Sequence, residues 1–196
     1  MQKLIRSDLY SLEQYSEKRP EFRAQVMAHK KNRRVAIGNH ATLYFEDRLT
    51  MQYQIQEMLR IERIFEPAGI EEELAAYNPL IPDGDNWKAT FMIEYGDVAE
   101  RQAALAKLVE IENQVWIQIA DTDRIWAIAD EDLDRTSSDK TSAVHFLRFQ
   151  LNAEQIAAVK ANAEIGVGID HVNYTFENKP LAENIREALT ADIFHM

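Results

Sequence analysis

The chain has 196 residues, a formal net charge of −11 and no cysteine, with 46% hydrophobic and 28% charged residues, as is ordinary for a globular protein. An acidic chain repels a phosphate backbone, which argues against general nucleic-acid binding. The lack of cysteine excludes disulfides, thiol nucleophiles and thiolate metal sites. No apolar run approaches the roughly 18 residues of a membrane span, and the N-terminus lacks a signal-peptide pattern. We therefore expect a cytoplasmic protein without a membrane partner.

The first 82 residues carry mostly helical patterns, in which apolar residues recur every three or four positions. Pro20 suits the first turn of a helix, and Gly38 tolerates the positive φ of a hairpin turn. The predicted elements are helices at 9–16 and 21–31, a hairpin at 33–38 and 41–46, a central helix at 49–66 and a short helix at 70–77. The segment NPLIPDGDN then ends the helical part and marks the best internal boundary.

After that loop the apolar period changes to two, which is typical of half-buried strands. The predicted elements are strands at 88–95, 113–120, 124–129, 143–151, 164–171 and 174–177, helices at 98–109, 153–162 and 181–194, and a polar, mobile loop at 131–140. The order predicts an α+β fold, with a helical N-terminal half packed on a mostly antiparallel or mixed sheet. We expect a single domain over 1–196, with a mainly helical part at 1–82 and a sheet-rich part at 83–196.

The central helix places an acid on its apolar side. At about 100° per residue, Glu62 points close to the centre of an apolar arc that runs from Met51 to Phe65. A buried carboxylate must be paired, protonated or metal-bound. Two interpretations remain open: a structural ion pair with an arginine or a hydrogen bond to backbone, and a functional acid or metal ligand. Glu57 and Arg60 lie on the opposite, mixed face and are further binding candidates.

Two histidines lie on predicted strands. His171 ends the strand at 164–171 on its apolar face. His145 shares a face with Leu147 and Phe149, whereas Arg148 shares the other face with Val144 and Phe146, so one face of this strand carries a polar group inward or the strand is exposed on one side. Together with Glu62 the two histidines have the composition of a two-His-one-carboxylate metal site, although their spacing forms no motif. The alternative for His171 is a core histidine that is hydrogen-bonded to a backbone carbonyl.

The loop at 73–85 is rigid and polar, and it follows the central helix closely. Tyr77 and Asn78 supply hydrogen-bonding groups there, so the loop is a candidate wall of a pocket. The alternative is a simple crossing stabilised by local side-chain turns.

The familiar catalytic and nucleotide-binding motifs are missing from the sequence. A ferritin-like di-iron site is also excluded, because the helical half has no Glu-x-x-His repeat. Gly166 and Gly168 lie inside an apparent strand rather than in a phosphate-binding turn. They predict the close approach of a packed helix or an aromatic ring, with a ligand as the alternative.

Basic residues are concentrated between 18 and 34, where seven Lys or Arg accompany one Glu. The stretch ends in Lys30, Lys31, Arg33 and Arg34, which we interpret as a patch for a small anion or an acidic protein partner. The alternative is a solvated helix end whose cations complement the helix dipole.

Two long blocks, YQIQEMLRIERI at 53–64 and ELAAYNPLIPDG at 73–84, resemble a bacterial domain family of unknown function whose members are about as long as this chain. The segments DLYSLEQY and KKNRRVAIG extend the resemblance over nearly the whole chain. Members of the family that this chain resembles are often encoded beside rubrerythrin-like and iron–sulfur oxidoreductase-like proteins. The resemblance therefore implies a link to redox or peroxide-defence pathways. The resemblance supplies no catalytic residue.

The leading expectation is a cytosolic binding or accessory protein in a redox or iron-linked pathway, with a pocket between the central helix and the sheet. The candidate ligand-binding residues are Glu57, Arg60, Glu62, Tyr77, Asn78 and His171. The first alternative is a metal-dependent hydrolase or oxidoreductase that uses Glu62, His145 and His171. The second is a purely structural interaction protein, and the exposed strand edges are compatible with a homodimer.

Overall fold

The computed structural model describes residues 2–194, so Met1, His195 and Met196, at the ends of the predicted domain, lie outside the described residues. The α-helices of the described part are Leu12–Lys30 (α1), Arg48–Glu62 (α2), Pro67–Tyr77 (α3), Val98–Lys107 (α4), Ala153–Lys160 (α5) and Glu183–Phe194 (α6). Among the described residues, none of the helices combines the length and the apolar character that a transmembrane span requires.

The strands of residues 2–194 form two antiparallel sheets. Their bounds are Arg34–Ile37 (β1), Ala41–Phe45 (β2), Asn86–Ile93 (β3), Val115–Ile119 (β4), Ile125–Trp126 (β5), Ile128–Ala129 (β6), Val144–Gln150 (β7), Ile165–His171 (β8) and Tyr174–Asn178 (β9). One sheet has the order β1-β2-β3-β7-β6 and the other has the order β5-β4-β8-β9. The α+β class and the mostly antiparallel sheet are confirmed. The N-terminal hairpin contributes two strands of the larger sheet, so the early part of the chain is not purely helical.

The main core lies between the two sheets. The inward residues of β3 include Ala89 and Phe91, and those of β8 include Val167 and Ile169, all of which are buried. Along one side the sheets are joined by Tyr174, whose hydroxyl donates to the carbonyl of Ile37 at 2.7 Å. Along the other side the chain passes from β5 of one sheet directly into β6 of the other.

One continuous helix, α1, replaces the two short helices predicted around Pro20. Ser11 caps this helix, and Pro20 lies inside it. An interior proline costs a backbone hydrogen bond. Here the helix continues because Tyr15 and Phe22 on its inner face are buried, and Phe22 packs against Tyr53 of α2. Burial of this aromatic cluster outweighs the local preference of proline for the helix start.

The central helix α2 ends at Glu62, because Arg63 adopts a left-handed conformation with φ of 57°. Its buried apolar stripe consists of Met51, Ile55 and Leu59, which contribute to a second core beside the sheets. Glu62 lies on the exposed last turn of the helix. The prediction that Glu62 is buried is therefore wrong.

The glycine pair on β8 accommodates bulky neighbours. A Cβ atom on Gly168 would overlap the indole ring of Trp116 on the adjacent strand β4, and one on Gly166 would crowd the side chain of Lys179. The predicted close approach of an aromatic ring is confirmed at Gly168.

Candidate functional site

A groove of 880 Å³ separates α3 and the loop after it from the outer face of β3 and β7. The apolar part of its lining includes Tyr77, Leu80 and Phe146. Lys88 and Arg148 supply the cations on the sheet side. This groove lies next to the 73–85 loop, as expected for a pocket wall, but its helical wall is α3 and not the central helix of the prediction.

Lys88 fixes the loop wall of the groove. Its ammonium group donates to the carbonyls of Pro79 at 2.7 Å and Ile81 at 3.0 Å, and to the carboxylate of Asp83 at 2.7 Å. These three acceptors use all three N–H groups of a lysine. Burial lowers the pKa of Lys88, and the hydrogen bond to Asp83 opposes that shift. Lys3 reinforces the same corner by pairing with Asp83 at 2.7 Å.

Arg148 lies directly opposite Lys88 in the register of β3 and β7. Like charges at facing positions repel each other. Glu131 compensates by accepting hydrogen bonds from Arg148 Nε at 2.8 Å and Nη2 at 2.7 Å. These hydrogen bonds lower the pKa of Glu131 and raise that of Arg148. The side chain of Glu131 is 52% exposed, whereas that of Arg148 is 24% exposed. The arginine is therefore the fixed member of the pair.

Two further polar residues hold Arg148 in place. Its Nη1 donates to Gln150 Oε1 at 2.8 Å, and the amide of Gln150 donates in turn to the backbone carbonyl of Asp85 at 3.0 Å. The guanidinium plane is thus oriented by groups of the protein on one edge while Glu131 covers the other. Such a fork is suited to bidentate recognition of a planar carboxylate.

Of the sequence-predicted ligand residues, Tyr77 lines this groove and Asn78 lies beside it. Asn78 accepts from the backbone N–H of Leu4 at 2.8 Å and donates to the carbonyl of Leu4 at 2.9 Å. Its amide therefore anchors the N-terminal segment.

Glu57 and Arg60 belong to a separate cluster between α1 and α2. Glu57 accepts hydrogen bonds from the Tyr15 hydroxyl at 2.6 Å and from Arg19 at 2.7 and 2.9 Å. The hydrogen bond from Arg19 is the main reason that the pKa of Glu57 falls to about 2. Arg60 approaches the same carboxylate at 3.3 Å. The arrangement ties two helices together.

The predicted metal set, Glu62, His145 and His171, is not brought together. Within residues 2–194, no group of three or more His, Asp or Glu side chains is arranged to hold a metal ion. His171 Nε2 lies 3.1 Å from the carbonyl of Val109, and its Nδ1 accepts from the backbone N–H of Asn173 at 3.1 Å. This matches the interpretation of His171 as a core histidine.

His145 is fully buried in a polar network that the sequence patterns did not reveal. Its Nδ1 lies 2.5 Å from Asp130, and its Nε2 lies 2.8 Å from the Thr141 hydroxyl. Thr141 also donates to Glu112 at 3.0 Å, and Thr136 donates to the other oxygen of Glu112 at 2.5 Å. Strand alternation predicted that His145 shares a face with Leu147 and Phe149, and the structure shows that this face is the buried one. Its partners come from three separate segments, so no local pattern identifies them.

The basic stretch is divided by burial. Arg33 is only 3% exposed, and it donates to Asp192 at 2.5 Å and to three backbone carbonyls. Arg33 therefore does not belong to a surface patch, because its charge is used in the interior to hold α6. Lys31 and Arg34 are exposed, and Lys30 is partly covered.

Comparisons with known proteins place the whole chain in one family. The model of DUF3501, a protein family of unknown function, matches residues 3–193. The chain is 48% identical to a protein of unknown function from Burkholderia pseudomallei K96243, whose crystal structure was determined at 1.90 Å resolution. The match covers 98% of this chain and 100% of that one, with a TM-score of 0.93.

The comparison with curated proteins gave no match. Both the family and the crystal structure are described as of unknown function, so neither supplies an activity, a metal or a redox pathway. The predicted resemblance to a bacterial family of unknown function is confirmed. By a match across almost its whole length, the chain belongs to the DUF3501 family.

Proposed function

We propose that this protein binds a small organic molecule in the groove between α3 and the outer face of β3 and β7. The observation that carries the proposal is the pairing of an apolar wall with one firmly positioned arginine in a concavity of 880 Å³. Concave sites of this size, with an apolar lining and a few placed polar groups, are typical of small-molecule binding. Tyr77 and Phe146 would contact the body of the ligand, and Arg148 would orient it.

A binding role is better supported than the metal-dependent enzyme. A metal centre needs several donors around one point, whereas Glu62 is exposed at a helix end and the ring nitrogens of His145 and His171 face partners within the fold. In the groove, the Lys88 ammonium group is also saturated by protein acceptors. A lysine whose N–H groups are all engaged stabilises the shape of a site and contributes positive charge to it. This is a structural role and not that of a nucleophile.

The cellular location, pathway, partner and oligomeric state of the protein stay predictions from the sequence. We expect a cytoplasmic accessory role in a redox or peroxide-defence pathway, an expectation that rests on the family resemblance. Lys30, Lys31 and Arg34 are the remaining candidates for contact with an acidic protein partner, and a homodimer is compatible with the exposed strand edges.

The test is an NMR titration of ¹⁵N-labelled protein with a defined set of aromatic carboxylates, amides and amines. We expect at least one compound to shift the backbone resonances of Tyr77 and Phe146. Ala76→Trp, which places an indole in the groove wall, should abolish these shifts. Ala103→Trp adds the same ring on the exposed face of α4 and should leave binding intact. Binding that survives Ala76→Trp, or no shift with any compound, would contradict the proposal.

A further inference from the structure

We propose that the ligand of this groove carries a carboxylate that displaces Glu131 from Arg148, so that Glu131 acts as an internal stand-in for the ligand. This inference rests on the proposed function, because it assigns the chemistry of the group bound in the same groove. In this proposal, Glu131 occupies the hydrogen-bonding groups of Arg148 until the carboxylate of a ligand replaces it.

The geometry at Arg148 is that of an occupied carboxylate site. Both oxygens of Glu131 are engaged, one by Nε at 2.8 Å and the other by Nη2 at 2.7 Å. Gln150 holds Nη1 from the opposite side at 2.8 Å. A ligand carboxylate in the same plane would make the same two hydrogen bonds with an arginine that is already oriented. Little ordering of the protein would then be needed on binding.

The facing cations require an anion at this position. Lys88 and Arg148 are direct neighbours across the two strands. Asp83 neutralises Lys88 from the loop side, and Glu131 neutralises Arg148 from the solvent side. Departure of Glu131 without a replacement would leave the arginine without its hydrogen-bonded carboxylate, beside a lysine. The exchange therefore favours an anionic group.

Glu131 can leave without disrupting the loop that carries it. Its side chain is half exposed, and it follows the short strand β6. The loop is anchored independently by Arg135, which pairs with Asp130 at 3.1 Å and with Asp132 at 2.6 Å. An exposed ion pair of this kind contributes little net stability. Rotation of one side chain is sufficient to open the fork.

The groove favours a single negative charge over a phosphate. A phosphate monoester carries nearly two negative charges at neutral pH. Asp83 and Asp132 are paired with Lys88 and Arg135, but Asp85 also lines the groove and would repel the second charge. The planar two-oxygen geometry of Glu131 is also matched by a carboxylate rather than by a tetrahedral group.

The experiment compares 2-naphthoate with 2-naphthamide, which share a ring system and differ in the charge of the head group. Both are titrated into the full-length protein, and NMR records the backbone resonances of the groove and the Nε–H resonance of Arg148. Glu131→Gln keeps the shape of the side chain and removes its charge. We expect it to tighten naphthoate binding about two- to fivefold, the scale of one exposed ion pair, without strengthening naphthamide binding.

Two variants provide the controls. Asp170→Asn removes a carboxylate that pairs with Arg124 elsewhere on the surface, so it changes the net charge equally and should leave naphthoate affinity unchanged. Arg148→Gln should abolish the preference for naphthoate over naphthamide. If that variant folds poorly, the comparison of Glu131→Gln with Asp170→Asn decides by itself.

The outcomes separate the two proposals. If Glu131→Gln strengthens neither probe, or strengthens both equally, the carboxylate inference is overturned while groove binding stands. If neither probe nor any compound of the broader set shifts the groove resonances, the proposed function fails as well. Tighter naphthoate binding confined to Glu131→Gln supports both.

Discussion

The Nδ1 atom of His145 lies 2.5 Å from the carboxylate of Asp130, and the imidazole is fully buried. This contact joins β7 to the residue that follows β6. Asp130 adopts a left-handed conformation with φ of 50°, which is uncommon outside glycine although aspartate tolerates it better than most residues. Its other oxygen accepts from the backbone N–H of Phe146 at 3.0 Å. A backbone conformation of this kind persists where the surroundings fix it from several sides.

Replacement of Asp130 by alanine should therefore destabilise the protein. The change leaves the buried His145 without its acceptor and keeps an unfavourable φ. We expect a loss of about 2–4 kcal/mol in the free energy of unfolding, measured by urea denaturation. Asp139→Ala is the matched control on the same loop, because the Asp139 side chain is exposed and lies outside the ion pairs of Arg135, and it should cost less than about 0.5 kcal/mol. Equal losses would show that the His145 contact is not important for stability.

Local periodicity predicted the strands because alternation is a property of a few consecutive residues. It correctly placed Ala89 and Phe91 on one buried face of β3, but it left open whether the face of His145 or that of Arg148 turns inward on β7. The groove was not predictable in the same way. Lys88 lies on the predicted polar face of β3, and only the long-range register of β3 with β7 places Arg148 opposite it.

The error at Glu62 has a similar origin. A helical wheel assumes that the helix continues through residue 66, but the left-handed Arg63 ends it after Glu62. The last turn then projects away from the core, and Phe65, predicted on the buried arc, is 70% exposed. Gln56 of α2 is fully buried, and its side-chain carbonyl accepts from the backbone N–H of Tyr10 at 2.6 Å. An amide with a backbone partner is less costly to bury than a carboxylate.

Mutation of a buried cation and of an exposed cation in the basic stretch should change the stability of the protein to very different extents. Arg33→Ala would leave Asp192 as a buried, unpaired carboxylate, so we expect a loss of about 3–5 kcal/mol in the free energy of unfolding. Lys31 is exposed in the same stretch, so Lys31→Ala should change the free energy of unfolding by less than about 0.5 kcal/mol. Urea denaturation of both variants checks the prediction. A small effect of Arg33→Ala would contradict the stabilising role assigned to its buried ion pair with Asp192.

Glu57 should contribute to stability in a pH-dependent manner. Its pKa falls from 4.5 to about 2 on folding, chiefly through Arg19. The folded state thus favours the ionised form, and this contribution is present above pH 4.5 and is lost as the pH falls through 4.5 towards 2. Because Arg19 is partly exposed, this contribution to the free energy of unfolding is limited to about 1–2 kcal/mol.

The measurement for Glu57 is the free energy of unfolding of wild type and Glu57→Gln between neutral and acidic pH. The variant should be less stable at pH 7, and the difference should shrink on acidification. Glu62→Gln alters an exposed carboxylate on the same helix and should follow the wild-type profile. A constant difference between wild type and Glu57→Gln at all pH values would refute the assigned ionic contribution.

Gly168 is required by the approach of Trp116, which packs where a side chain on β8 would lie. The indole cannot retreat easily, because Trp116 is buried and its Nε1 donates to Asp170 at 3.0 Å. Gly168→Ala should therefore force a shift of the ring or of β4 and cost about 1–3 kcal/mol in the free energy of unfolding. Gly96→Ala is the matched control, because a Cβ there meets no atom within 4 Å. Urea denaturation of the two variants decides the matter: if Gly168→Ala is no worse than Gly96→Ala, the sheet adapts to the ring and the glycine is not required by packing.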